Sequence, residues 1–229
     1  MAGLTARDVC VLIPAYNEET ALPVLVQRVR AEGFSVVVAD DGSTDRTAEH
    51  VRALGVTVLT ANRNGGKGAA LRRGFEWLRS QPYRALITMD ADGQHDPKDL
   101  RVFLEALAQG RYDVIVGDRS GDRRSMPPVR RVTNALMSRL LSAIAGQRIP
   151  DSQCGYRALT REALERIRLD TDHFEIESEM LLAAAQAGCR ITSLPVHCIY
   201  AGEKSHIRPL RDTWRFVRFL FTHRHLFRR

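Results

Sequence analysis

Residues 85–96 read Ala-Leu-Ile-Thr-Met-Asp-Ala-Asp-Gly-Gln-His-Asp. A short apolar run closed by an acidic, glycine-containing turn predicts a buried strand that ends where its polar residues begin. The same arrangement recurs upstream. Val9-Cys-Val-Leu-Ile-Pro14 runs into Ala15-Tyr-Asn-Glu18, and Ser35-Val-Val-Val-Ala39 runs into Asp40-Asp-Gly-Ser-Thr-Asp45. Val56-Thr-Val-Leu59 is followed by Asn64-Gly-Gly-Lys-Gly-Ala69. Helical periodicities fall between these runs, at 21–31, 44–54 and 68–79. A further helix over 97–109 begins at Pro97, whose missing N–H is harmless there, and Val114-Ile-Val116 is one more strand. Strands alternating with helices of this length predict an α/β fold with right-handed crossovers and a mostly parallel, Rossmann-like sheet covered on both faces. Ligands of such sheets bind outside the carboxyl ends of the strands, so chemistry is expected just after residues 14, 39, 59, 89 and 116.

The second half is less regular. Residues 119–128 form a loop rich in charge and proline. Val129, Val132, Leu136, Leu140 and Ile144 then recur at helical spacing, with Arg130, Arg131 and Arg139 off that stripe. Residues 151–157 read as loop, 161–167 and 175–187 as helices, and 190–194 and 196–200 as strands separated by Pro195. The chain divides into a domain over 1–207 and a basic amphipathic segment over 208–229.

Composition narrows the classes. The 229 residues are 44% hydrophobic and 27% charged, which excludes disordered and collagen-like chains. Net charge is +7, but residues 208–229 hold seven arginines against the single acid Asp212, a local +6 that leaves the rest near +1. A near-neutral body offers no continuous basic face for nucleic acid. The 208–229 segment places Leu210, Trp214, Val217 and Phe221 at helical spacing with Arg211, Arg215 and Arg218 between them, a pattern that suits either an anionic membrane surface or packing on protein. Four cysteines without a CxxC pair argue against a zinc ribbon or disulfide framework and fit a reduced, cytoplasmic setting. Residues 1–8 lack an apolar core of signal-peptide length, and no run approaches the ~20 apolar residues of a spanning helix. A soluble chain, or one peripheral on the inner face of the membrane, is expected.

Asp90 and Asp92, two carboxylates at i and i+2 directly after a buried strand, suit a hard cation such as Mg²⁺ or Mn²⁺, with Gln94 as a carbonyl ligand or a holder of metal-bound water. The alternative is a solvated Asp-Gly turn. Asp40 or Asp41 can accept from a base N–H or a ribose hydroxyl, while Ser43 to Asp45 read as a helix cap. Residues 64–69 bring flexible backbone, a helix start and the cation of Lys67 together, which suits an anion or nucleotide, although the spacing is neither that of a Walker loop nor GxGxxG.

In order and spacing, residues 13–18, 40–45, 64–74 and 90–97 resemble glycosyltransferase family 2, over nearly the whole chain. Within it, Asp151-Ser-Gln-Cys-Gly-Tyr-Arg157, Phe174-Glu-Ile-Glu-Ser-Glu-Met180 and Gly202-Glu-Lys-Ser-His206 are similar to the dolichyl- and polyprenyl-phosphate sugar transferases, the dolichol-phosphate mannose synthases among them. The resemblance implies a GT-A fold, a nucleotide-sugar donor, a Mg²⁺ or Mn²⁺ cofactor and inverting transfer of a hexose to a polyprenyl phosphate. It implies that Pro14, Ala15, Tyr16 and Glu18 frame the nucleotide, with Asp40 and Asp41 at base or ribose and Lys67 beside the diphosphate. Asp90, Asp92 and Gln94 would hold the metal. Arg119, Arg130 and Arg131, with Asn134, Lys204 and Ser205, would hold the acceptor phosphate. Were the acceptor an alcohol, a carboxylate base would be required, with Glu177 or Glu179 as candidates. Two features depart from the narrower group: transmembrane helices that follow the catalytic domain in several members have no counterpart here, and Gly202-Glu-Lys-Ser stands where many read Gly-Glu-Ser-Lys. The rival readings are a soluble or glycan acceptor, or a sugar nucleotidyltransferase. The latter usually carries a basic, glycine-rich loop after its first strand, where this chain has the acidic Ala15-Tyr-Asn-Glu-Glu19.

Overall fold

Every side chain of β1 (Val9–Ala15) is buried, as a strand covered on both faces requires. In the computed structural model, which describes residues 3–119, 121, 128–199, 219 and 222, β1 lies at the centre of one seven-stranded sheet. The other strands are β2 (Ser35–Asp40), β3 (Thr57–Thr60), β4 (Ala85–Thr88), β5 (Val114–Asp118), β6 (Arg157–Thr160) and β7 (Ile191–Pro195), in the order β3-β2-β1-β4-β6-β5-β7. β1 pairs in parallel with β2 on one side and β4 on the other. The helices are α1 (Ala21–Ala31), α2 (Thr47–Arg52), α3 (Lys67–Arg79), α4 (Leu100–Ala108), α5 (Pro128–Ala145), α6 (Arg161–Arg166) and α7 (Ile176–Gln186).

The chain steps outward from β1 to β2 and β3, then returns through α3 to place β4 on the opposite side of β1. Right-handed crossovers therefore put α1 and α2 on one face and α3 on the other. The reversal opens a crevice beyond the carboxyl ends of β1 and β4, where a doubly wound sheet takes its ligand. α1 turns Leu22, Leu25, Val26 and Val29 inward at helical spacing, and α3 does so with Ala70, Leu71, Phe75 and Leu78.

Three expectations change. Residues 157–160, adjoining a segment read as loop, form β6, which runs antiparallel to both β4 and β5. The strand opens on Arg157, a charged residue only 1% exposed, so its apolar signature is short. The expected strand over 196–200 reduces to one antiparallel bridge, Cys198 with His95, and Tyr200 lies outside the described residues. The helix over 128–145 forms, but Val132 and Leu136 are each 66% exposed and Leu140 40%. Its buried residues are Ser138, Leu141 and Ala145, on the opposite side of the helix. The 208–229 segment, apart from Phe219 and Thr222, also lies outside the described residues.

Candidate active site

Asp90 follows β4 at the mouth of the crevice, and Lys67, the first residue of α3, reaches across to it. Its Nζ donates to Asp90 Oδ1 at 2.6 Å and also to Glu177 Oε1. Glu177 sits in the first turn of α7, and its Oε2 accepts from Arg157 Nη2 at 3.0 Å. Arg157 is held in turn by the carbonyls of Cys154 at 2.8 Å, Ser152 at 2.7 Å and Glu177 at 2.5 Å. Four residues from separate parts of the chain thus form one line of alternating charge that runs from the half-buried Asp90 and Lys67 to the buried Glu177 and Arg157. Each ion has an opposite partner, without which burial at this depth would be prohibitive. Burial works against the Lys67 ammonium, but Asp90 and Glu177 outweigh it and hold its pKa above the ordinary value.

The carboxylates of Asp90 and Asp92 shift in opposite directions. Burial would raise Asp90, but the charge of Lys67, aided by His95, keeps it well below the usual range. Asp92 is raised instead, first by burial and then by the negative charge of Asp90, although its Oδ1 accepts the Gln94 N–H at 3.0 Å. His95, in the turn after β4, is 2% exposed, and its Nε2 lies 3.7 Å from Asp90 Oδ2. Among the described residues there is no group of three or more His, Cys, Asp or Glu side chains able to hold a metal. Two neighbouring hard oxygen donors nevertheless fit Mg²⁺ or Mn²⁺, ions that take one or two carboxylates and complete their shell with water and substrate phosphate.

The loops after β1 and β2 are stapled together. Asn17 adopts a left-handed φ of 56°, uncommon for a residue with a side chain, and is held there from both ends. Its N–H donates to Ser43 Oγ at 3.0 Å, and its Oδ1 accepts the Thr44 N–H at 2.8 Å. Beside it, the Glu18 N–H donates to Thr47 Oγ1 at 2.8 Å, while Tyr16 stands 43% exposed at the crevice. Pro14 and Ala15 are buried at the end of β1.

Asp41, expected at base or ribose, is 2% exposed and accepts the N–H groups of Gly65 and Gly66, the latter at 2.6 Å. It shapes the turn that starts α3, a supporting position rather than an open one. Gly66 has φ of 100° there, and a Cβ would run into His173. Asp40 is also buried; Oδ1 accepts the Ser43 N–H at 3.2 Å, and Oδ2 has no partner among the described residues.

The residues expected on the acceptor do not all converge. Arg119 is 8% exposed and makes a two-pronged contact with Asp151, Nε to Oδ2 at 2.7 Å and Nη2 to Oδ1 at 3.0 Å. Nε and Nη2 thereby tie the end of β5 to the 151–157 loop. Arg131 is exposed on the first turns of α5, and Asn134 is half-buried one turn further on. The Arg130 side chain, Lys204 and Ser205 lie outside the described residues. Glu179, read as a candidate base, is 2% exposed and turned away from Lys67. Its oxygens accept from the Asp170 N–H at 2.8 Å, the Thr171 N–H at 3.0 Å and the Thr171 hydroxyl at 2.6 Å. These three bonds give Glu179 a structural role in holding the 170–171 turn.

The sequence profile of glycosyl transferase family 2 matches residues 10–168. The chain is 33% identical to polyprenol monophosphomannose synthase of Mycolicibacterium smegmatis, over 81% of this chain and 75% of that one. It is 32% identical to undecaprenyl-phosphate mannosyltransferase of Micrococcus luteus, over 82% of each chain. Among solved structures it is similar to glucosyl-3-phosphoglycerate synthase of Mycobacterium tuberculosis in complex with Mn²⁺, UDP and phosphoglyceric acid, with a TM-score of 0.68 and 20% identity over 96% of this chain and 81% of that one. That last likeness is one of fold, and the fold is GT-A.

Proposed function

The chain belongs to glycosyl transferase family 2, and from that premise we propose that it moves a hexose from a nucleoside-diphosphate sugar to a polyprenyl phosphate, with a divalent cation and inversion at the anomeric carbon. The observation that carries this reading is the pair Asp90 and Asp92 at the switch point of the sheet, with Lys67 anchored against the first of them. The donor diphosphate lies beside Lys67, whose ammonium meets its charge. Asp40 Oδ2, buried and without a partner among the described residues, is an acceptor that the nucleoside would reach only by opening the turn above it. Asp90 and Asp92 would hold Mg²⁺ or Mn²⁺, and Gln94 a water on it. That ion supplies stabilisation of the negative charge that builds on the leaving diphosphate.

The acceptor needs little help to react. A phosphate monoester is already ionised near neutral pH, so its oxygen can attack without a general base. This agrees with Glu179 being fully engaged elsewhere. What the acceptor requires is positioning, and the exposed guanidinium of Arg131 on α5, with Arg130 beside it in sequence, supplies two-pronged phosphate geometry. Arg119 contributes by fixing the end of β5 through Asp151. The acceptors named for the mycobacterial and Micrococcus relatives support the lipid assignment, and the Mn²⁺ and UDP held by the structural neighbour support the donor and cation. No helix among the described residues is long and apolar enough to cross a membrane, which suits a peripheral position on the cytoplasmic leaflet.

Incubating the protein with a panel of nucleotide sugars, Mn²⁺ and either polyprenyl phosphate or soluble alcohols tests the reading. Transfer to the polyprenyl phosphate alone is the expected result. Transfer to the alcohols with none to the lipid would replace it with a soluble or glycan acceptor.

A further inference from the structure

Among the described residues, the exposed side chains of Phe, Tyr and Trp are two: Tyr16 at 43% and Phe174 at 40%. Both belong to the rim where the crevice opens. Tyr16 follows β1, and the Phe174 ring stands beside Lys67, with Nζ 5.9 Å from its centroid. A phenyl group has no polar atom to offer water, so this open position forfeits the stabilisation that burial would bring.

The backbone that carries the ring is firmly fastened. The Ala69 N–H, in the first turn of α3, donates to the Asp172 carbonyl at 3.0 Å. Arg72 donates to the Asp170 carbonyl and to the Asp172 carboxylate. From the other side, Glu179 on α7 accepts the N–H groups of Asp170 and Thr171 at 2.8 and 3.0 Å. Contact with α3 is close enough that a Cβ on Gly68 would stand 2.5 Å from the Thr171 carbonyl oxygen. Phe174 comes next in the chain, and its own carbonyl accepts the Glu177 N–H at 3.3 Å as α7 begins. The ring therefore projects from a point fixed by both α3 and α7.

An exposed apolar ring on a rigid support is suited to meeting a ligand. Its position beside Lys67 selects which part of the ligand. With the donor diphosphate against the Lys67 ammonium, the group joined to that diphosphate is the hexose. A pyranose presents C–H groups on its faces, and the electron-rich face of a phenyl ring takes them without any hydrogen bond. The prenyl chain of the acceptor is the other apolar candidate, but its phosphate is assigned to Arg131 on α5, whereas Phe174 stands on the Lys67 side.

We propose that Phe174 contacts the transferred sugar, its ring forming one wall of the donor-hexose subsite beside Lys67. The inference rests on the nucleotide-sugar reading and goes beyond it by naming the residue that meets the hexose itself.

The test uses the full chain with Phe174→Ala and Phe174→Leu. Titration calorimetry with Mn²⁺ compares UDP with UDP-glucose and GDP with GDP-mannose, taking the pair that wild type binds more tightly. Expected in Phe174→Ala is about tenfold weaker binding of the nucleotide sugar, with the nucleoside diphosphate within about twofold of wild type. Phe174→Leu, which keeps apolar bulk without a ring face, should share the selective loss. Because the side chain is exposed, both variants should melt where wild type does. Equal weakening of the sugar and diphosphate forms overturns the inference, since the ring would then act only through Lys67. Unchanged binding of both forms overturns it as well, and a raised KM for polyprenyl phosphate in that case reassigns the ring to the prenyl chain. Wild type binding neither nucleotide sugar removes the donor reading and the inference with it. Sugar-selective loss without transfer to polyprenyl phosphate upholds the inference and removes only the lipid acceptor.

Discussion

Gly155 presses directly on Asp90: a Cβ at Gly155 would stand 2.5 Å from Oδ1 and 2.6 Å from Oδ2 of that carboxylate. The loop before β6 therefore sets where Asp90 can lie, and only hydrogen at position 155 allows it to face Lys67. Gly155→Ala should move the carboxylate by a few tenths of an ångström or more. The expected outcome is a fall of up to about a hundredfold in kcat/KM with a folded protein by circular dichroism. Wild-type turnover in this variant would show that the position of Asp90 is not critical.

Asp92 has a pKa raised by burial and by its neighbour Asp90. A carboxyl raised on folding is penalised in its ionised form, so above the ordinary carboxylate range its charge lowers stability. Asp92→Asn should thus leave the metal-free protein at least as stable as wild type at neutral pH, by thermal melting. The same variant should lose at least about a hundredfold in turnover, since cation stabilisation of a leaving group is worth several kcal/mol. A destabilised variant with normal turnover would reverse both assignments.

The Arg119–Asp151 pair is buried on both sides, with side-chain exposures of 10% and 6%. Burial opposes the Asp151 charge, but Arg119 overcomes it and lowers the Asp151 pKa. With the folded value depressed, the contribution is complete above the unfolded carboxylate value of about 4 and is lost as pH falls below it. Asp151→Asn should cost about 3–5 kcal/mol at neutral pH by leaving Arg119 without a counter-charge. Chemical denaturation across the acid range should then show a shallower loss of stability in the variant than in wild type. Equal acid limbs would mean the pair does not persist in solution.

Glu179 holds the turn at residues 170–171 by three hydrogen bonds. Glu179→Gln, which keeps an acceptor oxygen, should lower the thermal midpoint while leaving turnover of the folded enzyme within a few fold of wild type. A loss of about a thousandfold at an unchanged midpoint would restore Glu179 as the general base.

Much of this was legible in the sequence for a physical reason. β1, β2 and β4 are continuous apolar runs because both their faces are covered, and the acids that follow them cannot stay in the core. Asp90 and Asp92 were visible as a pair for the same reason. Hidden from pattern reading were the charged residues that the fold buries. Arg157 opens a strand and Glu177 lies inside the fold, yet both carry side chains that ordinarily mark a surface. Their partnership with Lys67 spans 110 residues of sequence, so no local window contains it. Both lie within segments that resemble the narrower family, and that was the available signal. Sequence also does not reveal that Asp151 pairs with Arg119 and that the 170–171 turn holds Glu179. On α5 the helical period was legible, but which side of it packs depends on α7.

The most direct test of the account is to locate Mn²⁺ by anomalous scattering in crystals grown with a nucleoside diphosphate. The account predicts one strong peak between the Asp90 and Asp92 carboxylates, in contact with the diphosphate, and no such peak in Asp92→Asn. A nucleotide bound without the ion at Asp90 and Asp92, or with the ion coordinated elsewhere, would contradict it.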